Sequence, residues 1–190
     1  MIVVAYYTDD YMKYAPGLLR SCERFGLRHE IVHVRDRGSY TKNVAYKAEF
    51  LLWQLIRHRT DDILYIDVDA EIVGELELLR GISFPISACF WKATDKDEVP
   101  PMLLGGTIHL HGRDRGVLIP LLDTWIEENH KNGDKTDQEN LASALLRHPK
   151  IAPGSLPPGY CWIEEVMRAH RPKEPVVIRH FTASRERWMK

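Results

Sequence analysis

Two carboxylates one residue apart close a short apolar run, in which Ile63-Leu64-Tyr65-Ile66 leads into Asp67-Val68-Asp69-Ala70. Side chains alternate along a strand, so residues two apart share a face, and such a strand presents Asp67 and Asp69 together from its carboxyl end. Paired carboxylate oxygens suit a hard divalent cation. In open α/β sheets, ligands also bind outside the carboxyl ends of the strands. Taken alone the triplet serves equally well as a pair of turn acceptors, so its surroundings must decide. His109 and His111 share one strand face and raise the question of a second metal site, but two histidines with no third ligand in sequence more often mark a polar surface. Trp91, Tyr160 and Trp162 either stack on a ligand ring or fill the core, with the core reading ahead for Trp162.

The elements that must position these residues alternate between strand character and helical period, the pattern of an α/β fold with a mostly parallel sheet flanked by helices. Strands are predicted over residues 2–7, 31–34, 63–66, 82–90, 107–110 and 176–180. A helix over 15–25 ends at Gly26, and a longer one runs over 41–58. The apolar stripe of that longer helix is Val44, Ala48, Leu51, Leu52, Leu55 and Ile56, with Arg57, His58 and Arg59 at its carbonyl end. Leu118, Leu121, Leu122, Trp125 and Ile126 mark a third helix, with Pro120 expected in its first turn or at a kink. Thr136 and Glu139 have capping-box spacing before a fourth, over 141–146. Lys92 to Pro101 reads as a polar loop of the kind that covers sites.

Composition narrows the class. The chain has 190 residues, 44% hydrophobic and 28% charged, with a formal net charge of -1, which predicts a single compact domain over 1–190 with no bulk attraction to nucleic acid or anionic membrane. Cys22, Cys89 and Cys161 are odd in number and widely spaced, which argues against a disulfide framework or a zinc knuckle and fits reduced thiols in the cytoplasm. No signal peptide or membrane anchor is expected.

The segment Lys47-Ala48-Glu49-Phe50-Leu51-Leu52-Trp53-Gln54-Leu55, followed by Asp62 through Val73, resembles nucleotide-sugar-dependent glycosyltransferases of the GT-A fold, of the glycogenin and lipopolysaccharide-galactosyltransferase type (family 8-like). The resemblance implies a Rossmann-like sheet in which Asp67 and Asp69 bind Mn²⁺ or Mg²⁺ on the donor diphosphate and Lys47 contacts that diphosphate. It extends to Leu104-Gly105-Gly106-Thr107, matching a small-residue turn before a strand that lines the sugar site, though the family's Asn before the glycine is missing. Asp137-Gln138 matches the family's "DQ" beside the sugar's reacting carbon. His180 matches the histidine that completes the metal site. Trp188 keeps the spacing of a following Lys-Pro-Trp whose lysine is Glu186 here, so Arg185 or Arg187 is expected to supply the cation. Tyr7 and Thr8, with Asp9 or Asp10, fall where the donor base and ribose pack.

The implied activity is metal-dependent transfer of a sugar, with retention of configuration, from a nucleotide-diphosphate sugar to an unidentified acceptor hydroxyl. A UDP-sugar is the favoured donor and a GDP-sugar the second. Two alternatives stand beside it. One is a noncatalytic module that binds nucleotide sugars. The other is a phosphatase of haloacid-dehalogenase type, which places its Asp-x-Asp near the N-terminus. A nucleotidyltransferase would want a Gly-rich basic loop after strand one, and Tyr7-Thr8-Asp9-Asp10 supplies none.

Overall fold

The structure is a computed structural model that describes residues 1–92, 101–167 and 174–181. Strand β1 (Ile2–Tyr7) is buried along almost its whole length and lies between β2 (His29–His33) and β3 (Ile63–Ile66), parallel to both. The chain leaves β1 through helix α1 (Ala15–Arg24) to reach β2 on one side, then returns through α2 (Tyr40–Arg57) to β3 on the other. That reversal leaves a crevice outside the carboxyl ends of β1 and β3, the position that favours ligands in such sheets. The sheet continues with β6 (Met102–Leu110), β5 (Ile86–Trp91) and β7 (Gly154–Leu156), giving the order β2-β1-β3-β6-β5-β7. Of the six, β6 alone runs against the rest.

Local sequence explains where most elements stop. At the end of α1, the Leu27 amide donates to Cys22 O and the Gly26 amide to Glu23 O, with Gly26 at φ 61°. This is the paired closure that a left-handed residue after a helix permits, and glycine adopts that conformation without strain. Helix α4 (Asp137–Arg147) opens with the expected capping box, in which Thr136 Oγ1 accepts from the Glu139 amide at 3.3 Å and Glu139 Oε2 accepts from the Thr136 amide at 2.8 Å. Trp125, fully buried in α3 (Arg115–Lys131), donates from Nε1 to Asp137 O at 2.8 Å and so pins the start of α4 to the core. Helices α2, α3 and α4 cover one face of the sheet. Helix α1 and a small second sheet lie over the other.

That second sheet ties the end of the described chain to the carboxylate pair. It consists of β4 (Ala70–Ile72), β9 (Ile178–His180) and β8 (Trp162–Ile163), in the order β4-β9-β8; a four-residue helix, α5 (Glu164–Met167), follows β8. Because β4 starts one residue after Asp69 and pairs antiparallel with β9, Ala70 faces His180, and the Phe181 amide donates to Asp69 O at 2.7 Å.

Several expectations are corrected. Gly105 and Gly106 lie within β6 rather than in a turn before it. Strand β5 starts at Ile86 rather than Ile82, because residues 82–85 form an irregular, bent connection after a short 3₁₀ helix over 77–81. Strand β2 begins at His29, two residues early, and β9 is limited to Ile178–His180. Pro120 is the sixth residue of α3 rather than part of its first turn. The carbonyl it leaves without an amide belongs to exposed Gly116, where water can take the place of that amide. The buried face of α2 is also rotated from the apolar stripe: Ile56 is 52% exposed, whereas Asn43, Lys47 and Gln54 are buried. The expected loop over 92–101 lies largely outside the described residues.

Candidate active site

The end of β3 sets the first contact. Asp67 directly follows β3 and lies two residues from Tyr65, whose hydroxyl donates to Asp67 Oδ1 at 2.7 Å. The same oxygen receives Lys47 Nζ at 3.2 Å. The other oxygen, Oδ2, lies on the His180 side, where a β-carbon at position 106 would sit 3.3 Å from it and 2.9 and 3.0 Å from His180 Cε1 and Nδ1. Glycine is therefore required at 106 by the close approach of the imidazole. His180 Nε2 lies 2.9 Å from Thr107 Oγ1, which leaves Nδ1 as its nitrogen toward the site.

Asp67, Asp69 and His180 each offer one ligand atom, and these atoms all lie within 4.8 Å of one another. Among the described residues no other group of three such side chains comes together. Burial pushes the His180 imidazole down to about 4 against the pull of Asp67, so at neutral pH it is uncharged, the form that ligates a metal. Two carboxylate oxygens, an uncharged imidazole nitrogen and a glycine cradle fit a divalent cation.

Lys47 lies at the base of the site, held by three partners. Its ammonium is buried and reaches Asp137 Oδ2 at 2.7 Å, Gly105 O at 3.0 Å and Asp67 Oδ1 at 3.2 Å. Those three partners match the three donors of an ammonium. Burial alone opposes its charge most strongly, but Asp137 and Asp67 together prevail and hold the group well above the usual lysine range. Lys47 is thus an internal strut joining the end of β3 to the start of α4. The Tyr65 hydroxyl beside it is raised well above the usual range, first by burial and then by Asp67.

A cavity of about 180 Å³ opens over these groups at the carboxyl ends of β1 and β3. Tyr7, Thr8, Lys47, Asp67, Asp69, Gly105, Gly106, Asp137 and Gln138, all expected from sequence, line it. Gln138 is held there by Gly105, whose amide donates to Gln138 Oε1 at 3.3 Å. Asp9 is not among the lining residues; its carboxylate lies on the surface, 2.7 Å from His33 Nε2. Arg185 and Arg187 lie outside the described residues, as do Glu186 and Trp188. The two strand histidines form no site of their own: His109 is fully buried, and His111 Nδ1 pairs with Asp114 at 2.6 Å. Tyr160 and Trp162 are buried and do not line the cavity.

Sequence reasoning missed Tyr11, Tyr40, Asn43 and Tyr65 as lining residues and Thr107 as the partner of His180. For Tyr65 the signal was available in its two-residue spacing from Asp67. Three carboxylates, Asp67, Asp69 and Asp137, face one lysine across the cavity, so the site carries excess negative charge.

Among the solved structures that share this architecture are two glycosyltransferases. A glycosyltransferase involved in the glycosylation of the major capsid of PBCV-1 superposes with a TM-score of 0.69 at 13% identity, over 99% of this chain and 98% of that one. The glycosyltransferase GlyE of Streptococcus pneumoniae TIGR4 superposes with a TM-score of 0.62 at 16% identity, over 94% of this chain and 53% of that one. No protein-family profile and no curated protein sequence matches the chain. At these identities the likeness is one of fold, a GT-A-like glycosyltransferase fold.

Proposed function

We propose that the protein is a metal-dependent glycosyltransferase that moves a sugar from a nucleotide-diphosphate sugar to an acceptor hydroxyl, with retention. The observation that carries this reading is the charge balance of the cavity. A donor diphosphate is anionic, and a cavity with three carboxylates and one already paired ammonium would repel it. The Asp67, Asp69 and His180 set resolves the conflict by holding Mn²⁺ or Mg²⁺, and the imidazole favours Mn²⁺ of the two. Such an ion, when bound, neutralises charge on the departing diphosphate.

The remaining roles belong to the chain's own groups. Tyr7, Tyr11 and Tyr40 offer aromatic faces for a nucleotide base, uracil first and guanine second. Gln138, fixed by the Gly105 amide, positions the sugar near its reacting carbon. Asp137 is clamped by Lys47, so its carboxylate stabilises positive charge developing on the sugar instead of serving as a free base. In the transfer the bond from the anomeric carbon to the diphosphate oxygen breaks. The acceptor oxygen bonds to that carbon on the same face, and its proton passes to the departing phosphate. Three buried free thiols accord with a reducing compartment such as the cytoplasm, and among the described residues no helix is long and apolar enough to cross a membrane.

Incubation with UDP-glucose, UDP-galactose and GDP-mannose, each with Mn²⁺, tests the proposal through release of nucleoside diphosphate. Metal-dependent release is expected from at least one donor, with a loss of about 100-fold in Asp69→Ala. Equal release by the variant would remove the metal assignment. Tight donor binding without release would favour the noncatalytic module. The shared fold weighs against a haloacid-dehalogenase phosphatase.

A further inference from the structure

Helix α2 turns one side to the donor cavity through Tyr40, Asn43, Val44 and Lys47, and the opposite side to a second groove through Lys42, Ala45, Tyr46 and Glu49. We infer that this second groove, bounded also by α3 and the approach to α4, binds an acidic saccharide, meaning a sugar that bears a phosphate or carboxylate. The choice of a sugar rests on the glycosyltransferase reading; the site itself rests on its own geometry.

The groove encloses about 460 Å³, within the range of small-molecule sites. Arg37, Lys42 and Lys135 all line it, and none of the three forms an ion pair among the described residues. The one lining carboxylate, Glu49, lies 3.8 Å from His130 Nε2 on the same rim. Lys135 also acts on the nearby Glu139, but three cations around one groove with a single lining carboxylate favour an oxyanion between them. Arg37 is also held ready for it. Its guanidinium lies 3.3 Å from the centre of the Tyr46 ring with Nη1 donating to Arg35 O at 3.2 Å, which leaves other N–H groups for a ligand, and its amide donates to Asn43 Oδ1 at 2.8 Å. A planar, stacked guanidinium has its N–H edges preset for phosphate or carboxylate.

A second, independent observation asks for more than an anion. Asn140 is 1% exposed and lines the same groove. Its amide nitrogen donates to Asn129 Oδ1 at 3.0 Å and to Asn132 O at 3.3 Å, while its Oδ1 has no hydrogen-bond partner. A buried carbonyl oxygen left in that state needs an O–H or N–H donor. Inorganic phosphate at neutral pH offers at most two O–H donors, both on the atom that bears its charge, whereas a sugar acid brings several hydroxyl donors on a ring beside its oxyanion.

The test uses the full chain without nucleotide or metal. Glucose 6-phosphate, glucuronate, inorganic phosphate and glucose are titrated separately by calorimetry and by amide chemical shifts. At least one sugar acid is expected to bind about tenfold more tightly than both phosphate and glucose, with shifts at the Asn140 side-chain amide, and its identity shows which oxyanion is preferred. The exposed double variant Lys42→Ala/Lys135→Ala should weaken that binding about tenfold, and Asp69→Ala should leave it unchanged. Phosphate binding as tightly as the sugar acids, equal binding by the double variant, or no binding of either sugar acid would each overturn the inference. Because no step uses a nucleotide sugar, failure of donor turnover and failure of this site are read separately.

Discussion

Replacing Lys47 by methionine removes the one cation that two buried or half-buried carboxylates share, and the size of the loss can be worked from the geometry. Breaking one arm of a buried ion pair costs about 3–5 kcal/mol, because the surviving charge stays desolvated. The Asp67 side chain is 35% exposed and regains water, so its arm counts for little; that of Asp137 is 11% exposed, 2.7 Å from Nζ, and bears most of the loss. We therefore expect about 3 kcal/mol of destabilisation, at the low end of that range. For a chain of this length that lowers Tm by about 6–12 °C. Thermal unfolding followed by circular dichroism measures it. The assignment to Asp137 is checked by a cycle with Asp137→Asn, in which the double variant should recover about 1.5 kcal/mol relative to the sum of the singles. Mn²⁺ should raise Tm more in Lys47→Met than in the parent, since the ion supplies the charge that Asp67 has lost. A Tm loss under about 3 °C, or strict additivity in the cycle, would refute the strut role.

Other perturbations probe neighbouring contacts. Tyr65→Phe removes the donor that fixes the Asp67 carboxylate, and should weaken Mn²⁺ binding about tenfold in a calorimetric titration while costing only about 1–2 kcal/mol of stability; unchanged affinity would discount the contact. Gly106→Ala places a β-carbon 2.9 Å from His180 Cε1, so Mn²⁺ affinity should fall more than tenfold with the far-ultraviolet spectrum intact; parent-like affinity would show that the imidazole has room to retreat. His109, fully buried and pushed down to about 4 chiefly by desolvation, binds its proton more weakly when folded than when unfolded. Its contribution is whole above about pH 6.5, falls as pH drops toward 4, and amounts to about 3 kcal/mol in full. Urea midpoints at several pH values should accordingly slope less in His109→Leu than in the parent across that window, and parallel slopes would contradict it.

Legibility from the chain alone depended on how far each residue's type determines its place. Asp67 and Asp69 were legible because two carboxylates one residue apart at the end of an apolar strand mark the place where a ligand meets the sheet, although a turn between β3 and β4, and not strand alternation, brings them together. His180 was legible because a resemblance supplied its partner. The Lys47 strut was not, since its burial depends on Gly105 and Asp137, which β6 and the start of α4 bring from far along the chain. Apolar periodicity placed Ile56 on the inner face of α2 beside Ala48, Leu51 and Leu55, but Ile56 is outside and the polar row Asn43, Lys47 and Gln54 is inside, because those side chains have partners in Asp36, Asp137 and Glu30. Gly105-Gly106 read as a turn because the resemblance implied a small-residue turn at that place. Here they form part of a strand, where absent side chains let an ammonium and an imidazole approach the backbone.

The pairing of β4 with β9 gives the proposed cation site the character of a clasp. Two ligands belong to the chain entering β4, the third terminates β9, and only three register pairs join them. Opening that short ladder would carry His180 away while leaving the six-stranded sheet untouched. Linkage is reciprocal, so any free energy an ion gains from having His180 in reach it returns as tension keeping β9 fastened. The donor site and the closing segment of the fold would then be secured by the same event, with occupancy acting as the catch.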